Sequence, residues 1–238
     1  RLRSRGLGDV YKRQVQEAGM INFDSRNIYA KWVNDMIDAQ EADGNVPGIV
    51  PTSWHWDSNW AGPMWDAAIF ITPHLLYQYS GDTRAIETIY PAAKRYLEYL
   101  QTREEANGTI NHGLGDWLFY KAQTPVDFMA TCFYYWDNVL MAQMARLTGR
   151  EPEAAPYEAK AEKLKVLINE LFFDPEKVCY SNGTQLSYAL PLYVGIVPEQ
   201  YEKRLAENLN RCIADNDYSL DFGFIGSLVV PAVLSDYG

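Results

Sequence analysis

Residues 64–102, MWDAAIFITPHLLYQYSGDTRAIETIYPAAKRYLEYLQT, hold two helical patterns of opposite character joined by one tight turn. From Met64 to Tyr79 the only charge is Asp66, and apolar residues fall on every side of the helical wheel. A helix that is apolar all round has to be buried on every side. The second pattern places Arg84, Glu87, Lys94, Arg95 and Glu98 on one face and Ile86, Ile89, Ala93, Leu97 and Leu100 on the other. That stripe marks a helix with one face in water. Gly81 stands where a left-handed glycine ends a helix.

The same couple repeats outward along the chain. The periodicity predicts eight helices, roughly 25–42, 64–80, 83–102, 125–148, 153–172, 184–196, 198–215 and 223–237. The even-numbered ones are apolar throughout, as in TQLSYALPLYVGI and FIGSLVVPAVL, and the odd-numbered ones are amphipathic and charged. Thr124-Pro125 with Asp127 predicts an N-cap, a first-turn proline and a favourable first-turn acid. Pro73 and Pro91 are expected to kink their helices. Connections leading into even helices are long, at 43–63, 103–124, 173–183 and 216–222, whereas those leaving them are one to four residues. Buried and exposed helices in strict alternation, with long loops on one side only, describe helical hairpins set in a ring. The expected fold is therefore all-α, an (α/α)6 toroid, incomplete at about eight of twelve helices. An α-solenoid is the competing architecture, but no self-similar repeat is visible.

Composition narrows the function. The 238 residues are 47% hydrophobic and 14% aromatic, enough for a sizeable core, and the formal net charge is −10. An acidic surface argues against nucleic acid or anionic membrane as partner and suits a neutral sugar. No stretch approaches the roughly 18 apolar residues of a membrane helix. Cys132, Cys179 and Cys212 are widely spaced and read as buried thiols. His55, His74 and His112 are scattered without metal-ligand spacing, so no metal or cofactor is expected. No GxSxG, P-loop or GxGxxG occurs. Residues 1–14, RLRSRGLGDVYKRQ, differ in composition from the rest of the chain and resemble a translated sequencing adapter. The expected domain is 15–238.

Long loops on a ring collect functional residues, and here they enter the N-terminal, dipole-positive ends of the buried helices. SWHWDSNWAGPMWD carries Trp54, Trp56, Trp60 and Trp65, four of the seven tryptophans, together with Asp57 and Asp66. GLGDW repeats the pairing with Asp116 and Trp117. Indole faces stack on sugar rings and carboxylates accept sugar hydroxyls, which makes a sugar pocket the functional reading. For each tryptophan the competing reading is a cap over the core. For Asp116 it is a turn-forming aspartate. Gly183-Thr184-Gln185 opens the sixth helix toward the funnel of the ring, and there a helix cap is the preferred reading. Asn107-Gly108 and Asn182-Gly183 read as turns before glycosylation sequons.

VQEAGMINFDSRNIYAKWVNDMIDAQEADGNVPGIVP, GPMWDAAIFITPHLLYQYSGDTR, GLGDW with TPVDFMATCFYYWDNVLMAQMARLTGR, GTQLSYALPLYVGIVPE and DFGFIGSLVVPAVLSDYG resemble, in order, successive blocks of the bacterial α-L-rhamnosidase catalytic domain. The resemblance implies an (α/α)6 barrel behind N-terminal β-sandwich domains, and hydrolysis of terminal α-L-rhamnosides with inversion. It implies a general acid and a general base, both Glu, in blocks that this chain does not contain. It assigns sugar contacts to Trp65 and Trp117, hydroxyl-accepting roles to their neighbours Asp66 and Asp116, and a place at the pocket to Glu17. Another six-hairpin glycosidase, or a non-catalytic glycan-binding toroid, remains the alternative.

Overall fold

A computed structural model of the chain describes residues 12–51 and 60–237. Its helices in chain order are α1 (Lys12–Asn22), α2 (Arg26–Ala39), α3 (Pro63–Asp66), α4 (Ala68–Ser80), α5 (Arg84–Thr102), α6 (Val126–Leu147), α7 (Glu151–Phe172), α8 (Gln185–Val194), α9 (Glu199–Asp215) and α10 (Phe224–Tyr237). Between α7 and α8 a short antiparallel pair, β1 (Phe173–Asp174) and β2 (Cys179–Tyr180), sets Phe173 opposite Tyr180.

Burial separates the helices into two sets. In α6, 15 of 22 residues are buried, and in α8, 8 of 10 are. In α7 only Ala154, Ala161, Leu164 and Ile168 are buried, and in α9 only Leu205, Ala206, Leu209 and Ile213. The first set is the inner wall and the second the outer, as the charge pattern requires. Neighbouring inner helices pack in sequence, α1 on α4, α4 on α6, α6 on α8 and α8 on α10, and α10 returns against α1. Each inner helix from α4 onward also packs on the outer helix that comes after or before it. The fold is an α/α toroid of helical hairpins.

Helix α1 stands outside the eight helices read from the sequence. It buries Gln16, whose Oε1 accepts a hydrogen bond of 2.8 Å from the Thr72 hydroxyl of α4, and it exposes Val15 and Ile21. Only Met20 among its larger apolar residues packs on the core, and no helical stripe results. Of the 1–14 segment, only Lys12–Gln14 are described, as the first turn of this helix. Other differences are local. The helix expected over 64–80 is interrupted once, at Ala67, between α3 and α4. Helix α6 begins one residue later than expected. Pro125, not Thr124, holds its N-cap position, and the Thr124 hydroxyl is hydrogen-bonded to that of Thr184, 2.7 Å away. Gly81 and Gly149 do hold the left-handed conformation, with φ of 70° and 71°.

Candidate functional site

Inner helices α3/α4, α6, α8 and α10 are each entered from a long connection, 40–62, 103–125, 173–184 and 216–223, and the first three are left by a short turn. All four N-termini therefore gather at one end of the ring, with their first-turn N–H groups and positive dipoles directed there. The loop 103–125 is the hub of this mouth. Leu114 N–H donates to the Ala61 carbonyl of the first loop at 3.0 Å. Asn182 of the third loop donates to the Gln123 carbonyl at 2.9 Å. The Asp221 carboxylate of the fourth loop accepts from the amides of Lys121, at 2.6 Å, and Ala122. Gln185, at the start of α8, clasps the same fourth loop: its Nε2 donates to the Ser219 carbonyl and its Oε1 accepts from Asp221 N–H, both at 2.9 Å.

The two tryptophan–aspartate pairs lie within this assembly. Trp65, in α3, is nearly buried, and its indole N–H donates to the Gly115 carbonyl at 3.0 Å. Gly115 directly precedes Asp116, so this bond ties one pair to the other. Asp66 is buried, and its Oδ2 accepts a hydrogen bond of 3.1 Å from the Tyr96 hydroxyl of outer helix α5. Tyr96 is fully buried. Desolvation, reinforced by the Asp66 and Asp137 carboxylates, holds its phenol well above the usual range, so it acts as a donor.

Asp116 is the N-terminal cap of α10, although it lies on another loop. Its Oδ2 accepts from Gly223 N–H at 2.6 Å, and its Oδ1 from the amides of Ile225 and Gly226 at 2.8 and 3.0 Å. Burial pushes the carboxyl above the ordinary aspartate value, while the three N–H donors pull it back. Beside it, Phe224 N–H donates to the Trp117 carbonyl at 3.0 Å, and the rings of Trp117 and Phe224 stack with centroids 5.7 Å apart and planes 26° apart. Gly223 makes the approach possible, since a Cβ there would lie 2.1 Å from the Trp117 carbonyl oxygen and 2.4 Å from that of Asp116. The half-buried Trp117–Phe224 pair is thus a fixed aromatic surface at the mouth.

Trp65, Asp66, Asp116 and Trp117 are therefore brought together, but the two carboxylates take hydrogen bonds from the protein itself. Glu17 is not brought to them. Its Oε1 accepts from the Tyr79 hydroxyl at 2.7 Å, and Tyr79 ends α4 about 20 Å of helix from Trp65. Trp54, Trp56 and Asp57 lie outside the described residues. Thr184 caps α8, its hydroxyl accepting from Ser187 N–H. Tyr96, Asp221 and Phe224 are parts of the mouth that the sequence reading did not single out. Gln185, read from the sequence as opening an inner helix toward the funnel, does reach it.

A separate cleft of about 330 Å³ at the far end of the ring is lined by Asp24, Arg26, Asp82 and Arg84. Its charges are paired internally, Arg26 with Asp24 at 3.0 Å and Arg84 with Asp82, whose carboxyl the guanidinium holds at about 2. Among the described residues no cluster of three His, Cys, Asp or Glu could hold a metal ion, and no helix is long and apolar enough to cross a membrane.

The family model of the bacterial alpha-L-rhamnosidase 6 hairpin glycosidase domain matches residues 7–238. An alpha-L-rhamnosidase of Streptomyces avermitilis is 30% identical over 216 residues, covering 90% of this chain and 20% of the relative. One from Formosa agariphila is 26% identical, covering 92% of this chain and 24% of the relative. The crystal structure of Streptomyces avermitilis alpha-L-rhamnosidase complexed with L-rhamnose superposes with a TM-score of 0.89 at 27% identity, covering 97% of this chain and 22% of that one. The alpha-L-rhamnosidase from Dictyoglumus thermophilum superposes at 0.87 with 28% identity, covering 98% of this chain and 27% of that one. The chain spans about a fifth to a quarter of the length of these relatives.

Proposed function

The chain belongs to the bacterial α-L-rhamnosidase six-hairpin glycosidase domain family, and on that premise we propose that it forms the sugar-holding wall of an enzyme that hydrolyses terminal α-L-rhamnosides. The observation that carries the proposal is the fixed aromatic surface of Trp117 and Phe224, locked to the N-terminus of α10 by Asp116 and joined through Gly115 to Trp65. A flat, preformed aromatic face suits the C–H side of a sugar ring and costs little ordering when the sugar binds. The relative solved with L-rhamnose names the sugar to test first.

Inverting hydrolysis requires one carboxylic acid to protonate the leaving oxygen and one carboxylate to activate water on the opposite face, about 6.5–9.5 Å apart. Neither Asp116 nor Asp66 suits these tasks. The first accepts three backbone N–H bonds and the second is buried against Tyr96. In this proposal both catalytic glutamates belong to sequence outside the 238 residues, and β-sandwich domains precede the toroid. The native domain is proposed to start at residue 15 on composition alone, whereas α1 and the family match both run across that point.

Titration calorimetry of the chain with L-rhamnose tests the proposal. Saturable binding, lost in Trp117→Ala, is expected, with no release of nitrophenol from 4-nitrophenyl α-L-rhamnoside. Binding of L-fucose or D-glucose in place of rhamnose would move the chain to a different sugar. Robust turnover would overturn the placement of the acid and base.

A further inference from the structure

The tripeptide Asn-Gly-Thr occurs twice, at 107–109 and at 182–184. Both copies sit in the same kind of turn. The glycine N–H donates to the carbonyl three residues back, Gly108 to Glu105 at 2.8 Å and Gly183 to Tyr180 at 3.0 Å, and both glycines hold left-handed backbone, with φ of 87° and 69°. Both asparagines are exposed. Their side chains differ. The Asn182 amide is held at both ends by residues outside its tripeptide: Nδ2 donates to the Gln123 carbonyl at 2.9 Å, and Oδ1 accepts from the Ser187 hydroxyl at 3.0 Å. At Asn107 only Oδ1 is engaged. It accepts from the Thr109 N–H at 3.1 Å and from the Thr109 hydroxyl at 2.8 Å. Among the described residues Asn107 Nδ2 has no hydrogen-bond partner.

We propose that Asn107 is a self-modification site, at which the folded chain converts its own asparagine to aspartate and isoaspartate through a cyclic imide. The Gly108 nitrogen bonds to Asn107 Cγ and gives its proton to a solvent base. Negative charge gathers on Oδ1, where the Thr109 N–H and O–H already point, as the donors of an oxyanion hole do. The Cγ–Nδ2 bond then breaks, and the nitrogen takes up a proton and leaves as ammonia. Water opens the ring at either carbonyl. One water is consumed and one ammonia released, with no change of oxidation state. Glycine leaves room for the attack, since even an added Cβ at 108 would meet only Leu167 Cδ2, at 3.4 Å. In both turns the glycine N–H must first leave its carbonyl, so that step does not separate the two sites. The amide under attack does: it is polarised and free to turn at 107, and tethered at 182. The turn lies between two anchors, Glu104 on Lys160 and Tyr134, and Ile110 N–H on the Thr131 hydroxyl. Isoaspartate adds a methylene to the main chain between them, at the foot of the loop 103–125. The conversion is a slow, one-way mark of the age of the folded chain.

The test incubates the chain in mildly alkaline buffer made with heavy-oxygen water. Peptides spanning each tripeptide are followed by mass spectrometry, with fragmentation that separates aspartate from isoaspartate. Asn107 is expected to convert about tenfold faster than Asn182, a difference of about 1.4 kcal/mol in barrier. Its product should contain isoaspartate and one heavy oxygen. In urea, where the turns are lost, the two identical tripeptides should lose that difference. This comparison of two sites in one chain needs no variant. Thr109→Val removes the hydroxyl donor with little change of shape and should slow conversion of Asn107 about threefold, with circular dichroism verifying that the variant is folded. Equal rates in the folded chain, a preference that survives in urea, or an unchanged rate in folded Thr109→Val would each overturn the assignment. A product without isoaspartate would overturn the cyclic route.

Discussion

The carboxylate of Asp116 lies 2.6 Å from the amide nitrogen of Gly223, although 107 residues separate them. A helix N-terminus is usually capped by the residue just before it. Here α10 is capped from a loop four helices earlier in the chain, so the helix end and the second loop are one structural unit.

Substitution of Asp116 should therefore be costly at a distance. Asp116→Ala strands three N–H groups at a buried helix end, and a loss of about 3 kcal/mol in urea unfolding is expected. Asp116→Asn, which keeps one oxygen, should lose less. Trp117 emission should shift to longer wavelength in Asp116→Ala as its stack on Phe224 loosens. An alanine variant as stable as the parent would show that the cap carries no weight.

Gly223→Ala should be at least as damaging. The added methyl would meet backbone oxygens at 2.1 and 2.4 Å, and these cannot rotate away as a side chain would. A cost of about 3 kcal/mol is expected, with separation of the second and fourth loops seen as faster hydrogen exchange at Phe224. An unchanged melting temperature would contradict this close approach.

Tyr96 and Asp66 should behave as a coupled pair. Tyr96→Phe removes a donor to a buried carboxylate and is expected to cost about 1–3 kcal/mol. A double-mutant cycle with Asp66→Asn should give a coupling energy above about 0.5 kcal/mol. Strict additivity would mean that the 3.1 Å contact contributes nothing to stability.

Acidification should destabilise the fold through His74. Burial holds this imidazole below its ordinary value. As pH falls through about 6.5 the unfolded chain takes up the proton first. Stability is thus fully present above that pH and is lost as pH falls from there toward the folded-state value. Melting temperatures measured between about pH 7.5 and 5.5 should fall, and fall less steeply in His74→Leu. Parallel profiles would assign the slope to other groups.

The toroid was legible because its two kinds of helix differ in charge, and charge tracks exposure directly. Helix α1 was not, since it turns Gln16 inward and leaves Val15 and Ile21 in solvent. Periodicity records which residue types alternate, and cannot see an amide buried against Thr72. The same omission misplaced Glu17. Without α1 and its direction, nothing in the sequence showed that residue 17 would sit beside Tyr79. At the mouth, Trp65, Asp66, Asp116 and Trp117 were legible as a group because loop length and indole density pointed to one end. Their partners were not. A carboxylate beside an indole has the same pattern whether it serves a sugar hydroxyl or the amides of Gly223, Ile225 and Gly226, and only tertiary structure decides.

The bonds that fasten the fourth loop to the second loop and to α8 end largely on main-chain atoms: Asp221 holds the amides of Lys121 and Ala122, and Gln185 holds the carbonyl of Ser219 and the amide of Asp221. Every residue except proline offers the same amide, so such a fastening is indifferent to the identity of the side chains it carries. Phe119, Tyr120, Tyr218 and Leu220 can then be exchanged for other residues while the loops keep their course. A family built this way can diversify what its rim touches without redesigning how the rim is held.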